Sequence, residues 1–296
     1  MKKSIVSIAF IALAIGVSLS SCSKKTDTGG GTDTGKVDPN TIAPANLVAY
    51  FPLESATNAI AFGQGITFDQ QGGAATFVTG RRGNAYQGSS DGAYLTFDLA
   101  SNNPFVNMKA FTISAWIKTP PAIVNGANGA AIIAQVDGGD VATMGSLAFV
   151  LQSNSSADSL DISGYLYNSS TAWQGQEVRI WNAAFLPNQW VHLIYSYDNV
   201  TSTMSLYANG MLVGSQIKYA GPDPGDGTPQ PLLGDLTLVN MTKMYIGAWF
   251  EQVAGVNAQD WMRYFPGMID ELRVYNRALT AQEVTDLYAA EASQIN

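Results

Sequence analysis

Two carboxylates stand side by side in "GMIDELRVYN" (267–276): Asp270 and Glu271. Paired carboxyl groups cleave glycosidic bonds when they sit about 5–5.5 Å apart in a retaining enzyme, or about 6.5–9.5 Å apart in an inverting one. Consecutive residues of a strand point to opposite faces, so a regular strand here keeps the two out of one cleft. Carboxylates at alternate positions, as in E-x-D-x-(x)-E, would share a face, but that pattern is absent. Glu54, Glu177, Glu251, Glu271, Glu283 and Glu291 have no acidic residue two positions away. Asp137 and Asp140 fall in a glycine loop, and Asp223 and Asp226 in the turn-rich "GPDPGDGTPQP". His192, the single histidine, lies mid-strand in "WVHLIY", so neither a Ser/His/Asp triad nor an H-E-x-x-H metal site is visible. The chain reads as non-catalytic.

Other residues suit binding. Sugars stack their C–H faces on Trp and Tyr rings while amides and carboxylates take the hydroxyls. Trp173, Trp181, Trp249 and Trp261 lie in "TAWQGQEVRIWNAAF" (171–185) and "GAWFEQVAGVNAQDWMRYF" (247–265), which read as strand ends and long loops. Binding residues concentrate on loops held by a rigid scaffold. Glu251, Asn257, Asp260, Arg263 and Tyr264 complete the candidate ligand set.

The elements that would position these residues are strands. "FTISAWIK" (111–118) alternates, with Phe111, Ile113, Ala115 and Ile117 on one side. "LVAYFPL" (47–53), "AYLTFDL" (93–99), "GSLAFVLQ" (145–152), "DISGYLYN" (161–168), "WVHLIYSYD" (190–198) and "KMYIGAWF" (243–250) read the same way. "TMSLYANGMLVGSQI" (203–217) is a hairpin whose Asn209-Gly210 pair suits a type I′ turn. One helix is expected near the C-terminus, where Thr280 and Glu283 form a capping box before Val284, Leu287 and Tyr288. The sum is an all-β sandwich with one short C-terminal helix.

The N-terminus is a leader. Lys2 and Lys3 precede an apolar run, Ile5–Leu19, too short for a typical membrane span. "LSSC" follows and resembles a bacterial lipobox, which makes Cys22, the only cysteine, the expected lipidation site. The expected organisation is a signal peptide over 1–21, a lipidated flexible linker over 22–45 and one domain over 46–296. The linker holds three consecutive glycines and no apolar face. Loss of Lys2 and Lys3 takes the net charge from −8 to −10. Acidity of that size argues against nucleic acid as a partner and leaves membrane attachment to the acyl chains. The expected location is the bacterial cell envelope, with the outer membrane favoured and surface exposure left open.

"LVAYFPLE", "GRRGNAYQGSSDGAYLTF", "FTISAWIKT", "QWVHLIYSYD", "MSLYANGMLVG" and "FPGMIDELRVYNRALTAQEVTDLY" occur in this order. Together they resemble the laminin-G-like branch of the concanavalin A-like lectin/glucanase superfamily. The resemblance implies a two-sheet jelly roll and places Trp116 and Trp190 in packing roles. It also implies a structural Ca²⁺ ion held by Glu54, Asp270 and carbonyls near Gly88 and Ser89. Oxygen ligands of this kind suit calcium. Glycan capture or adhesion through a lectin-like site is the expected function. A module that binds a protein partner is the first alternative and a glycoside hydrolase the second.

Overall fold

The structure, a computed structural model, describes residues 36–120, 129–137, 145–152, 160–168, 175–183, 188–221 and 223–294. Lys36–Asn296 form one compact unit. The expected leader and Cys22 lie outside the described residues, as does Trp173. The folded unit begins before the expected boundary at Asn46. Pro39 is buried in a short 3₁₀ turn, Pro39–Thr41, and Ile42 and Ala43 pack against the C-terminal helix.

Seventeen strands are present among the described residues. They are β1 (Leu47–Phe51), β2 (Phe62–Gly63), β3 (Ile66–Gly72), β4 (Thr76–Thr79), β5 (Asn84–Gln87), β6 (Tyr94–Leu99), β7 (Phe111–Lys118), β8 (Ala130–Val136) and β9 (Leu147–Gln152). They continue with β10 (Leu160–Tyr167), β11 (Gly175–Ala183), β12 (Trp190–Asp198), β13 (Thr203–Ala208), β14 (Met211–Ile217), β15 (Lys243–Ile246), β16 (Met262–Arg263) and β17 (Met268–Tyr275). Two helices, α1 (Phe250–Ala254) and α2 (Ala281–Ala292), complete the set.

Sheet one runs β14-β13-β12-β7-β17-β1-β2, with β5 on β17 and β4 on β5. Sheet two runs β11-β10-β9-β8-β15-β6-β3, with β16 parallel to β8. One core lies between them. It takes Phe111, Ile113, Ala115 and Ile117 from β7, Leu193 and Tyr195 from β12, Leu95 and Phe97 from β6, and Ile133 and Phe149 from β8 and β9. Burying a side chain of this size stabilises by about 1.5–3 kcal/mol, which is why alternation alone selects the inner face.

The outer faces are covered as well. Val284 and Leu287 of α2 pack on Ile194 and Tyr275 of sheet one. On sheet two, Trp249 and Met262 cover Ala130, Ile132, Ala148 and Val150. β8 ("AAIIAQV") is therefore buried on both faces, and its unbroken apolar run hides the alternation that marks a strand. The segment 171–185 is not mainly loop, because β11 occupies Gly175–Ala183 and carries Trp181. The segment 247–265 holds α1 and β16.

The expected turn and cap chemistry is in place. Asn209 and Gly210 have φ of 48° and 79° between β13 and β14. At the start of α2 the Glu283 amide donates to Thr280 Oγ1 (3.2 Å), and the Thr280 amide donates to Glu283 Oε2 (2.9 Å). Arg277 clasps both oxygens of Glu283 at 2.8 and 2.6 Å. That clasp, with the Thr280 amide and against partial burial, lowers the Glu283 carboxyl from its ordinary 4.5 to about 2. A lowered folded-state pKa contributes stability above the unfolded pKa and loses it as pH falls through the folded one. Wild type should therefore exceed Glu283→Gln in stability at neutral pH. Acid melts should show that margin shrinking between about pH 4.5 and about pH 2.

Candidate functional site

The turn "GRRGN" (80–84) lies between two of the expected metal ligands. The Gly80 amide donates to the Gly83 carbonyl at 2.9 Å and closes it. Asp270 Oδ2 accepts the amides of Arg81 (2.7 Å) and Arg82 (3.0 Å), and Glu54 Oε2 accepts that of Asn84 (2.7 Å). Gly83 has φ +63°, and a Cβ there would lie 2.1 Å from Glu54 Oε1, so a side chain at this position would be strained and would displace Glu54. Asp270 is wholly buried, and its Oδ1 has no partner. Burial raises its carboxyl to about 8, with Glu271 adding to the rise and the amides of Arg82 and Arg81 opposing it. Asp270 Oδ1 and the Glu54 carboxylate are oxygen donors of the kind a hard cation takes, but among the described residues no cluster of three or more Asp, Glu, His or Cys could hold one. Gly88 and Ser89 do not join it. The Gly88 amide pairs with the Gly267 carbonyl at 2.8 Å. Gly267 is three residues along the chain from Asp270, about 10 Å in an extended strand. The Gly88 carbonyl accepts from Gln87 Nε2 at 2.7 Å, and the Ser89 carbonyl from the Ala93 amide at 3.4 Å.

The alternation expected for Asp270 and Glu271 is broken. The register of β17 shifts between Asp270 and Arg273, and Glu271 takes φ +53°. This bulge sends both carboxylates outward while Ile269, Leu272 and Val274 stay in the core. They share a side of the sheet, yet neither is open to a substrate, since both are buried. Glu271 accepts from Tyr50 Oη (2.6 Å) and Arg273 Nη2 (2.8 Å) and pairs with Arg82 Nη1 at 3.3 Å. Arg277 and Lys243 serve elsewhere: Arg277 holds Glu283, and Lys243 bridges Asp69 and Asp98.

Arg273 also meets Glu291 of α2, whose Oε2 accepts from Trp116 Nε1 at 2.7 Å and faces His192 Nε2 at 3.2 Å. Burial alone would raise the Glu291 carboxyl, but Arg273 and His192 hold it below its ordinary value. His192 also meets Ser114 Oγ at 2.7 Å and clusters with the rings of Trp116 and Tyr288, which also stack on each other. It is fully buried and structural.

The binding candidates separate into two kinds. Trp249 is not a platform: it is fully buried, and its indole N–H donates to the Ala130 carbonyl at 2.8 Å. Glu251 is also buried, in the first turn of α1. An indole edge with no room for a ligand and a covered carboxylate cannot meet a sugar directly. Trp261 and Tyr264 are half-buried, while Asn257, Asp260 and Arg263 are exposed. Trp261 stands edge-on to Trp249, with ring centroids 5.2 Å apart at 88°. Arg263 donates to the carbonyls of Asp260 and Met262, which ties the loop to itself.

Sheet two adds residues that the sequence did not single out. Tyr165 packs on the same apolar cluster as Trp261. Its hydroxyl accepts from Gln152 Nε2 at 2.7 Å, Gln152 also reaches Ser163 Oγ at 2.9 Å, and Ser163 donates to Glu177 Oε1 at 3.2 Å. Arg179 pairs with Asp161 at 3.1 Å. β10 and β11 keep an apolar inner face (Ile162, Val178) and a polar outer one, while β9 turns Ala148 and Val150 outward before Gln152. Polar residues at alternate positions of two neighbouring strands were the available signal.

Two opposed antiparallel sheets, one helix on an outer face and a Trp-bearing segment across the other define a concanavalin A-like jelly roll. The family model of the concanavalin A-like lectin/glucanases superfamily, laminin G-like, matches residues 87–285. The chain belongs to that superfamily. Among solved structures it is similar to the botulinum neurotoxin serotype D binding domain at 16% identity and TM-score 0.53, over 82% of this chain and 51% of that one. The binding domain of botulinum neurotoxin DC, solved in complex with rat synaptotagmin II, aligns at 14% identity and TM-score 0.55, over 85% of this chain and 52% of that one. The chain thus spans about half the length of these structures and shares their fold. No curated protein matches it in sequence.

Proposed function

We propose that the folded unit is a non-catalytic carbohydrate-binding module, held at the bacterial cell envelope by lipid on Cys22 and serving in glycan capture or adhesion. The observation that carries this reading is Trp261, a part-exposed ring edge-on to a buried tryptophan, on the same outer-face cluster as Tyr165, whose hydroxyl accepts from Gln152. A ring of this kind offers a stacking face at little entropic cost, and the flanking amide, hydroxyl and carboxylate groups match sugar hydroxyls. Asn257, Asp260, Arg263 and Tyr264 extend the polar and aromatic surface. The non-catalytic reading is supported by the covering of Asp270 and Glu271 and by the engagement of Glu177 with Ser163 and of Asp161 with Arg179.

Calcium belongs to this reading as a structural ion. Asp270, through its unpartnered Oδ1, and Glu54 would hold it, and it would offset buried negative charge where the 80–84 turn meets β17. The test is a glycan array with residues 36–296, run with calcium and with EDTA, alongside melting curves. Hits in calcium that vanish in Trp261→Ala support the reading, and EDTA should lower the melting temperature. A blank array under both conditions would shift the function to a protein partner.

A further inference from the structure

β14 ends sheet one as an open edge. It pairs with β13, and among the described residues no strand pairs its other side. Met211, Leu212, Val213 and Ile217 are 69%, 55%, 36% and 52% exposed, four large apolar side chains on one seven-residue strand. Natural edges are usually guarded by charge or proline, and "MLVGSQI" has neither. Lys218, the next residue, is turned inward, with its ammonium on Gln216 Oε1 (2.8 Å) and the Glu177 carbonyl. A bulge at Val213 twists the strand without charging it.

We propose that β14 is a self-association edge, on which β14 of a second copy pairs antiparallel across a two-fold axis. Charge favours a copy as the occupant. The chain is strongly acidic, with a net charge of −8, yet this strand is neutral, so two copies meet here without like charges opposed. A charged partner strand would find no counter-charge on it. Symmetry favours it too, because an antiparallel strand paired with itself presents the same patch on both sides and closes as a dimer.

The second sheet enlarges the contact. A Cβ on Gly214 would lie 1.8 Å from Ile180 Cδ1, so glycine lets β11 come against β14. β11 is the edge of sheet two, so a copy docking on β14 meets both sheet edges at once. The seam spans about 23 Å along the strand.

The test is light scattering on residues 36–296, the compact unit, from about 1 to about 100 µM, because self-association depends on concentration. The mass should rise from monomer to dimer with concentration. Leu212→Lys combined with Ile217→Lys should stay monomeric with the wild-type melting temperature. A wild type that stays monomeric throughout, or a dimer that the lysines leave intact, would overturn the proposal. Cross-linking gives an independent reading that does not depend on the lysine variant folding. Under mild oxidation Ser215→Cys should form a covalent dimer faster than the exposed control Thr201→Cys, and equal rates would count against the edge.

Discussion

Replacing Arg273 with Met is expected to lower stability by about 3–5 kcal/mol, because removing one partner of a buried ion pair leaves charge uncompensated. Here two carboxylates lose their partner, Glu271 within β17 and Glu291 on α2. The Arg273 guanidinium also lies 4.1 Å from the Tyr50 ring centroid and donates to Asn40 Oδ1 at 3.2 Å. The N-terminal segment, the central strand and the last helix therefore share one group. At about 2–4 °C per kcal/mol for a domain of this size, melting should drop by roughly 10 °C. Adding Glu271→Gln and Glu291→Gln to Arg273→Met should recover part of the loss, since the orphaned charges are then gone. A single variant within about 1 kcal/mol of wild type would mean that the network is solvated after all.

The second large effect separates two neighbouring tryptophans. Trp249→Ala is expected to remove about 3–5 kcal/mol by opening a cavity over β8 and β9. Trp261→Ala, at a half-buried ring, should leave most of the stability and abolish the glycan signal. Urea melts and array binding on the same two proteins check both halves. Equal losses of stability, or glycan binding that survives Trp261→Ala, would show that the platform has been assigned to the wrong ring.

The signals legible in sequence were those with a local cause. The Asn209-Gly210 turn, the Thr280/Glu283 capping box and the alternation of β7 each depend on residues within a few positions of one another. β8 escaped notice because both its faces are covered, and β11 because its apolar and polar positions sit between two tryptophans that suggested loop. Spacing grouped Trp249 and Trp261, which pack on one apolar cluster, and only burial separates them: Trp249 is covered and Trp261 part-exposed.

The sequence by itself determined the all-β class, the superfamily and the residue types that could bind. Tertiary structure alone decided which of those residues meet. The bulge at Glu271 turned two adjacent carboxylates to one side, where Arg273 joins Glu271 to Glu291 of the last helix. The turn at 80–84 came to lie between Glu54 and Asp270, which are far apart in the chain. Local propensity is written in neighbouring residues. Pairing across sheets and the coverage of outer faces depend on chain segments that only folding brings together.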